Sequence, residues 1–209
     1  MIVLAHRGWW RTKEEENSSF AIERALAEGF GVETDLRDLA GRVVVSHDPP
    51  RGGELTFEAL LAIADRHPGS GPLALNVKAD GLQTLIGPAL VARRDYFLFD
   101  MSVPDLVASV RCGLACFTRQ SDVERVPVLL DDVEGVWMDS FSAALPDVEA
   151  AAALIDRGRR VAFVSPELHR RAQDDYWACL RDHELHRSPQ TFLCTDFPDL
   201  AARFFGSGP

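Results

Sequence analysis

The sequence has no surplus of positive charge: 22 Lys and Arg stand against 32 Asp and Glu, a net of −10. Nucleic acid is therefore not an expected partner, because a polyanion needs a basic footprint. A small phosphorylated ligand is not excluded, since a few local cations or a bound metal can reverse the field. No apolar run approaches the roughly 18 residues of a membrane-spanning helix, and the mean hydropathy of −0.06 is that of an ordinary globular chain. Cysteine is scarce. Cys112, Cys116, Cys179 and Cys194 lack the Cys-x-x-Cys spacing of zinc or redox sites and read as small buried hydrophobes of a reducing compartment. No low-complexity linker divides the chain, so residues 1–209 are expected to form one domain. The first apolar run begins at Ile2, too early for a signal peptide, and a cytoplasmic location is expected.

What the chain does have is regular alternation. Short apolar runs predict strands over 2–5, 31–35, 73–77, 96–99, 115–118, 135–138, 160–164 and 191–194. Amphipathic stretches between them predict helices over 18–28, 56–66, 82–91, 103–110, 147–157, 174–182 and 199–205. Residues 120–130 are the exception and allow only a short helix or turn. A hairpin return follows the second strand, with Ala40-Gly41 at its turn. Eight strand repeats predict a compact (β/α)8 TIM barrel. The rival, an open doubly wound sheet, would normally carry a Gly-rich phosphate loop after its first strand; His6-Arg7-Gly8-Trp9-Trp10 is not one.

In such a barrel function gathers just beyond the strand C-termini. Those positions are His6-Arg7, Glu33 with Asp35, Asn76 with Lys78, Asp100, Arg119, Asp139, Ser165 with Glu167, and Thr195-Asp196. His6 and His47 can serve as acid and base near neutral pH. Glu33 and Asp35 alternate on one strand and so share a face, where two carboxylates repel unless a cation compensates. An all-oxygen set suits one divalent cation, Mg2+ or Ca2+, with Mn2+ also acceptable. Asn76 can add an amide oxygen to that shell, while Arg7 and Lys78 can hold phosphoryl oxygens. Arg119, Asp139, Glu167 and Trp137 are further candidates for substrate contact. The set reads as metal-assisted cleavage of a small phosphodiester. Two alternatives remain open: a non-catalytic barrel that binds a phosphate ligand, and a metal-dependent sugar isomerase or an aldolase using Lys78.

The stretches His6-Arg7-Gly8, Glu16-Asn17 followed by Ala21 and Ala25, Gly29, Glu33-Thr34-Asp35-Leu36-Arg37, Gly41, and Val44-Val45-Ser46-His47-Asp48 stand in one order along the chain. Together they resemble the glycerophosphodiester phosphodiesterase family, within the phosphatidylinositol-specific phospholipase C-like barrels. The late Cys194-Thr195-Asp196-Phe197-Pro198 resembles the family's closing motif. The resemblance implies that His6 and His47 are the acid/base pair, that Arg7 binds phosphate, and that Glu33 and Asp35 bind the metal. There are two departures. Asn76 stands where the family usually has a third acidic ligand, and 49–54 is short where the family often carries a sizeable insertion shaping the glycerol end.

Overall fold

Leu4, Ala74, Phe97, Phe117, Ala162 and Phe192 belong to six different strands, yet their side chains form one buried cluster. The period-two alternation of each strand sends these residues inward and their sequence neighbours outward against the helices. The computed structural model describes residues 1–206. Its strands are β1 (Ile2–His6), β2 (Gly31–Leu39), β3 (Arg42–Val45), β4 (Leu73–Val77), β5 (Tyr96–Phe99), β6 (Phe117–Gln120), β7 (Gly135–Met138), β8 (Arg160–Val164) and β9 (Thr191–Thr195). Helices are α1 (Ser19–Ala27), α2 (Phe57–Ala64), α3 (Gln83–Leu90), α4 (Val103–Arg111), α5 (Val148–Asp156), α6 (Asp174–Asp182) and α7 (Pro198–Phe205).

All the strands lie in one sheet ordered β5-β4-β2-β1-β9-β8-β7-β6, parallel throughout except for β3, which pairs antiparallel with the outer end of β2. Between β5 and β6 the ring closes through a bridge of Leu98 to Cys116, with the Leu98 amide donating to Ala115 O at 2.8 Å. The result is a barrel of eight parallel strands. Its interior is unusually aromatic: Phe97 stacks on Phe117 at 3.9 Å and Phe99 on Trp137 at 3.8 Å between ring centroids. The outer layer, from Ile22 and Leu26 of α1 to Tyr176 and Leu180 of α6 and Phe205 of α7, seals the barrel against its helices.

Helix starts follow from local chemistry. Ser18, Thr56, Ser102 and Asp147 each accept a backbone N–H three residues on, satisfying a donor the helix cannot. No helix joins β6 to β7; residues 121–134 run as turns and bends, so among the described residues seven α-helices surround eight parallel strands.

Several expectations need correction. β2 continues to Leu39, because its outer half gains β3 as a partner on the edge β1 does not cover. β6 starts at Phe117, two residues late, since Ala115 and Cys116 only touch β5 at the closing seam. Trp137 is buried in the barrel interior, so it packs under the mouth and does not line it. The cysteines are all free, but only Cys116 and Cys194 are buried; Cys112 is exposed and Cys179 half-buried.

Candidate active site

His6 is the last residue of β1 and faces inward in the row of Ile2 and Leu4. Its Nδ1 lies 2.7 Å from Oδ1 of Asp196, just past the end of β9, the strand paired with β1 on its other side. The second ring nitrogen, Nε2, is 3.9 Å from Glu33 Oε2. Burial alone would lower the imidazole's proton affinity, but the Asp196 hydrogen bond and the charges of Glu33 and Asp196 outweigh it, and the pKa is raised.

Arg7 follows in the left-handed region, φ 56°, and Gly8 does likewise at φ 85°. A Cβ on Gly8 would stand 2.7 Å from the backbone carbon of Ala21, so only glycine allows this turn to sit against α1. The turn aims the Arg7 amide at Glu33, whose backbone oxygen accepts at 2.8 Å and whose Oε2 lies at 3.3 Å. The Arg7 guanidinium donates to Glu16 at 2.8 Å and lies 3.3 Å from Asp35.

Glu33 and Asp35 are almost wholly buried, side by side on β2. Burial, then the neighbouring Asp35 charge, pushes the Glu33 carboxyl up to about 7. Asp35 is held differently. It accepts from Asn17 Nδ2 at 2.9 Å, and Arg7 Nε and Lys78 Nζ flank it at 3.3 and 3.5 Å. Asn17 is fixed in turn by the Thr34 hydroxyl, which donates to Oδ1 at 2.7 Å. Lys78 also reaches Asp100 at 3.6 Å. Asn76 turns its Nδ2 toward Glu33 at 3.5 Å, and its buried Oδ1 has no partner.

That orphan oxygen bears on the metal. An unsatisfied buried acceptor is costly unless a ligand claims it. Glu33, Asp35 and Asn76 bring two carboxylates and one unpartnered amide oxygen to this end of the barrel, the ligand chemistry that suits a hard divalent cation. Among the described residues no three His, Cys, Asp or Glu side chains converge as a metal cluster; the donor set here counts two carboxylates and one amide.

His47 sits on the loop after β3, its side chain 46 % exposed and its Nδ1 2.9 Å from Asp48. With Arg7, Glu16 and Asn17 it lines an open cleft of about 620 Å3. His6 is not on that cleft's wall. The remaining candidates are engaged. Arg119 is paired with Asp100 and Glu124, and Asp139 with His169 at 2.7 Å. Glu167 accepts from the Ser165 and Thr195 hydroxyls and from the Asp196 amide, bracing the exits of β8 and β9. Sequence reasoning gave no role to Asp196, Glu16 or Asn17. Only their presence in the resembling motifs, and the position of Asp196 at a strand exit, pointed to them.

No protein-family model matches the sequence, and no curated protein matches it. Solved structures do match, and they show the fold to be a (β/α)8 barrel. A protein from Galdieria sulphuraria assigned as a glycerophosphodiester phosphodiesterase superposes with TM-score 0.74 at 16% identity, covering 99% of this chain and 98% of that one. The glycerophosphodiester phosphodiesterase of Thermotoga maritima gives 0.66 at 16% identity, covering 97% of both chains. A Ca2+-dependent phosphatidylinositol-specific phospholipase C from Streptomyces antibioticus gives 0.55 at 14% identity, covering 98% and 95%.

Proposed function

We propose that this chain is a phosphodiesterase that cleaves a small phosphodiester at the mouth of its barrel with the help of one divalent cation. The observation that carries the reading is the His6–Asp196 pair set beside Glu33, with Arg7 and Lys78 on the same rim. Asp196 fixes the ring and favours the tautomer protonated at Nδ1, leaving Nε2 to exchange a proton with a reacting oxygen. His47, on the neighbouring exposed loop, is the second proton carrier. One imidazole takes the proton from the attacking hydroxyl, of water or of the substrate itself, and the other gives one to the leaving oxygen. Arg7 and Lys78 offset the extra negative charge that the phosphoryl group develops. Glu33, Asp35 and Asn76 would hold the cation, Mg2+ or Ca2+. When bound it supplies positive charge to the phosphoryl oxygens and lowers the pKa of the nucleophile.

A second reading keeps the fold and the phosphate but omits the cation: a phosphate-binding barrel. It is favoured by the pairing of Asp35 with both Arg7 and Lys78, which neutralises that carboxylate from within the chain. An aldolase reading has less support, because Lys78 is engaged by Asp35 and Asp100 and does not stand free as a nucleophile. Turnover of a bis-aryl phosphodiester, with and without chelator, separates these readings. Turnover abolished by chelator supports the first, and absence of turnover at any metal concentration overturns it.

A further inference from the structure

Glu167, just past the end of β8, is a half-buried carboxylate, and among the described residues no Lys, Arg or His side chain pairs with it. Burial pushes its pKa up. A carboxylate so placed is costly unless hydrogen bonds hold it, and three groups donate to this one. Oε2 accepts from the Ser165 hydroxyl; Oε1 accepts from the Thr195 hydroxyl and from the Asp196 amide, the last at 3.1 Å.

Local structure aims the side chain. Pro166 opens a single 3-10 turn, Pro166–His169, directly after β8, and Leu168 in that turn packs on the aromatic cluster inside the barrel. The turn thereby carries Glu167 from the exit of β8 to the exit of β9. Both hydroxyls that meet it are fully buried and have a fixed direction. Ser165 Oγ accepts from Trp177 Nε1 at 2.8 Å, and Thr195 Oγ1 accepts from the Phe197 amide at 3.0 Å. With an N–H given to each hydroxyl oxygen, each hydroxyl proton is left for Glu167. Every neighbour donates, and the ionised carboxylate is the form that this arrangement suits.

The connection to His6 runs through one residue. Asp196 lies one position beyond β9. Its amide is held by Glu167, while its own Oδ1 holds His6 Nδ1 at 2.7 Å. β8, β9 and β1 are consecutive neighbours in the sheet, so the chain of bonds crosses three adjacent strand exits. Trp177 ties the far end of that chain to α6.

We propose that Glu167 is a positioning residue, which fixes the backbone of Asp196 and through it the orientation of the His6 imidazole. Both of its oxygens are engaged, so it acts through Asp196 and does not touch substrate. The effect on turnover rests on the phosphodiesterase reading; the effect on the imidazole does not.

Two substitutions separate reach from charge. Glu167→Gln keeps the length and an oxygen that can still accept from Thr195 and Asp196, but removes the charge. Glu167→Asp keeps the charge but withdraws the carboxylate by about 1.5 Å, one carbon–carbon bond, which is too far for the bond to the Asp196 amide. The first measurement is NMR of the whole chain labelled with 15N-histidine, His6 being identified by the signals lost in His6→Ala. Wild type and Glu167→Gln should show one His6 tautomer with a protected Nδ1–H proton. Glu167→Asp should lose that proton signal and show mixed tautomers. The second is steady-state kinetics on an aryl diester, well below the melting transition. Glu167→Asp should lose about tenfold to a hundredfold in kcat, the scale of a misplaced catalytic group, with KM little changed. Glu167→Gln should stay within about threefold, and Glu167→Asp combined with Asp196→Asn should lose little beyond Asp196→Asn alone. An unchanged His6 signal in Glu167→Asp, or a loss of that signal in Glu167→Gln equal to that in Glu167→Asp, would overturn the proposal. Absence of diester cleavage by the wild type would remove only the link to turnover, because the ring signals still report the orientation.

Discussion

His6 and Asp196 are 190 residues apart in sequence and 2.7 Å apart in space. They join the ends of the first and last strands, which pair as neighbours in the barrel. The geometry gives the imidazole a fixed orientation. It leaves Nε2 facing the Glu33 carboxylate, where a reacting group would lie.

Asp196→Asn should therefore cost roughly a hundredfold or more in kcat, within the range of acid–base contributions, while the melting temperature changes little. His6→Ala should cost at least as much, and combining the two should add little, because they act as a unit. Steady-state kinetics of the three variants on an aryl diester provide the measurement. Near wild-type turnover in Asp196→Asn would detach the pair from the chemistry.

His47→Ala should also abolish turnover while leaving the fold intact, since a side chain 46 % exposed leaves no core cavity behind when it is removed. Circular dichroism and melting would check the fold. Retained activity would transfer the second proton to another group.

The barrel itself was legible in the sequence because its strands are short, apolar and evenly spaced. Residues 73–77, 96–99, 135–138 and 160–164 form β4, β5, β7 and β8 with the expected boundaries. The candidate site was legible only as a ring of polar residues at strand exits. Which of them pair could not be read, because pairing depends on strand order and register. Asp35 is held by Asn17, Arg7 and Lys78, which reach it from three separate segments. Trp137 shows the same limit: its position on β7 left open whether the ring met the mouth or stacked on Phe99 below it.

Gly8→Ala should destabilise the protein by about 2 kcal/mol or more, combining left-handed strain with a backbone collision. The added Cβ meets Ala21 at 2.7 Å. Relief requires moving either α1 or the Arg7 turn, so activity should fall even below the melting transition. Denaturant titration would measure the first effect and kinetics at low temperature the second. An unchanged midpoint would mean that the turn adapts freely.

Chelation should abolish diester turnover by the protein, and Mg2+, Mn2+ or Ca2+ should restore it. Glu33→Gln and Asp35→Asn should each raise the metal concentration needed for half-maximal activity, because each removes a negative charge from an all-oxygen donor set. Full activity in protein shown by elemental analysis to be metal-free would leave the cation without a role.

Asn76→Asp gives the sharpest test of the donor set. Asn76 Nδ2 faces Glu33 at 3.5 Å, and its Oδ1 is buried without a partner. Asparagine and aspartate have nearly the same shape, so the substitution changes charge with little change in packing. If the orphan oxygen faces the cation, a third carboxylate strengthens the attraction, and each tenfold gain in affinity corresponds to about 1.4 kcal/mol. Without metal the same change places a carboxylate against Glu33, whose proton affinity burial and Asp35 already raise. The metal-free protein should then lose stability and regain it on adding cation, as expected when a ligand binds only the folded state. Calorimetric titration of Mg2+ and Ca2+ measures the first effect, and thermal melting with and without cation the second. Unchanged affinity together with an unchanged metal-free melting temperature would place Asn76 outside the cation's shell and leave Glu33 and Asp35 as its only protein ligands.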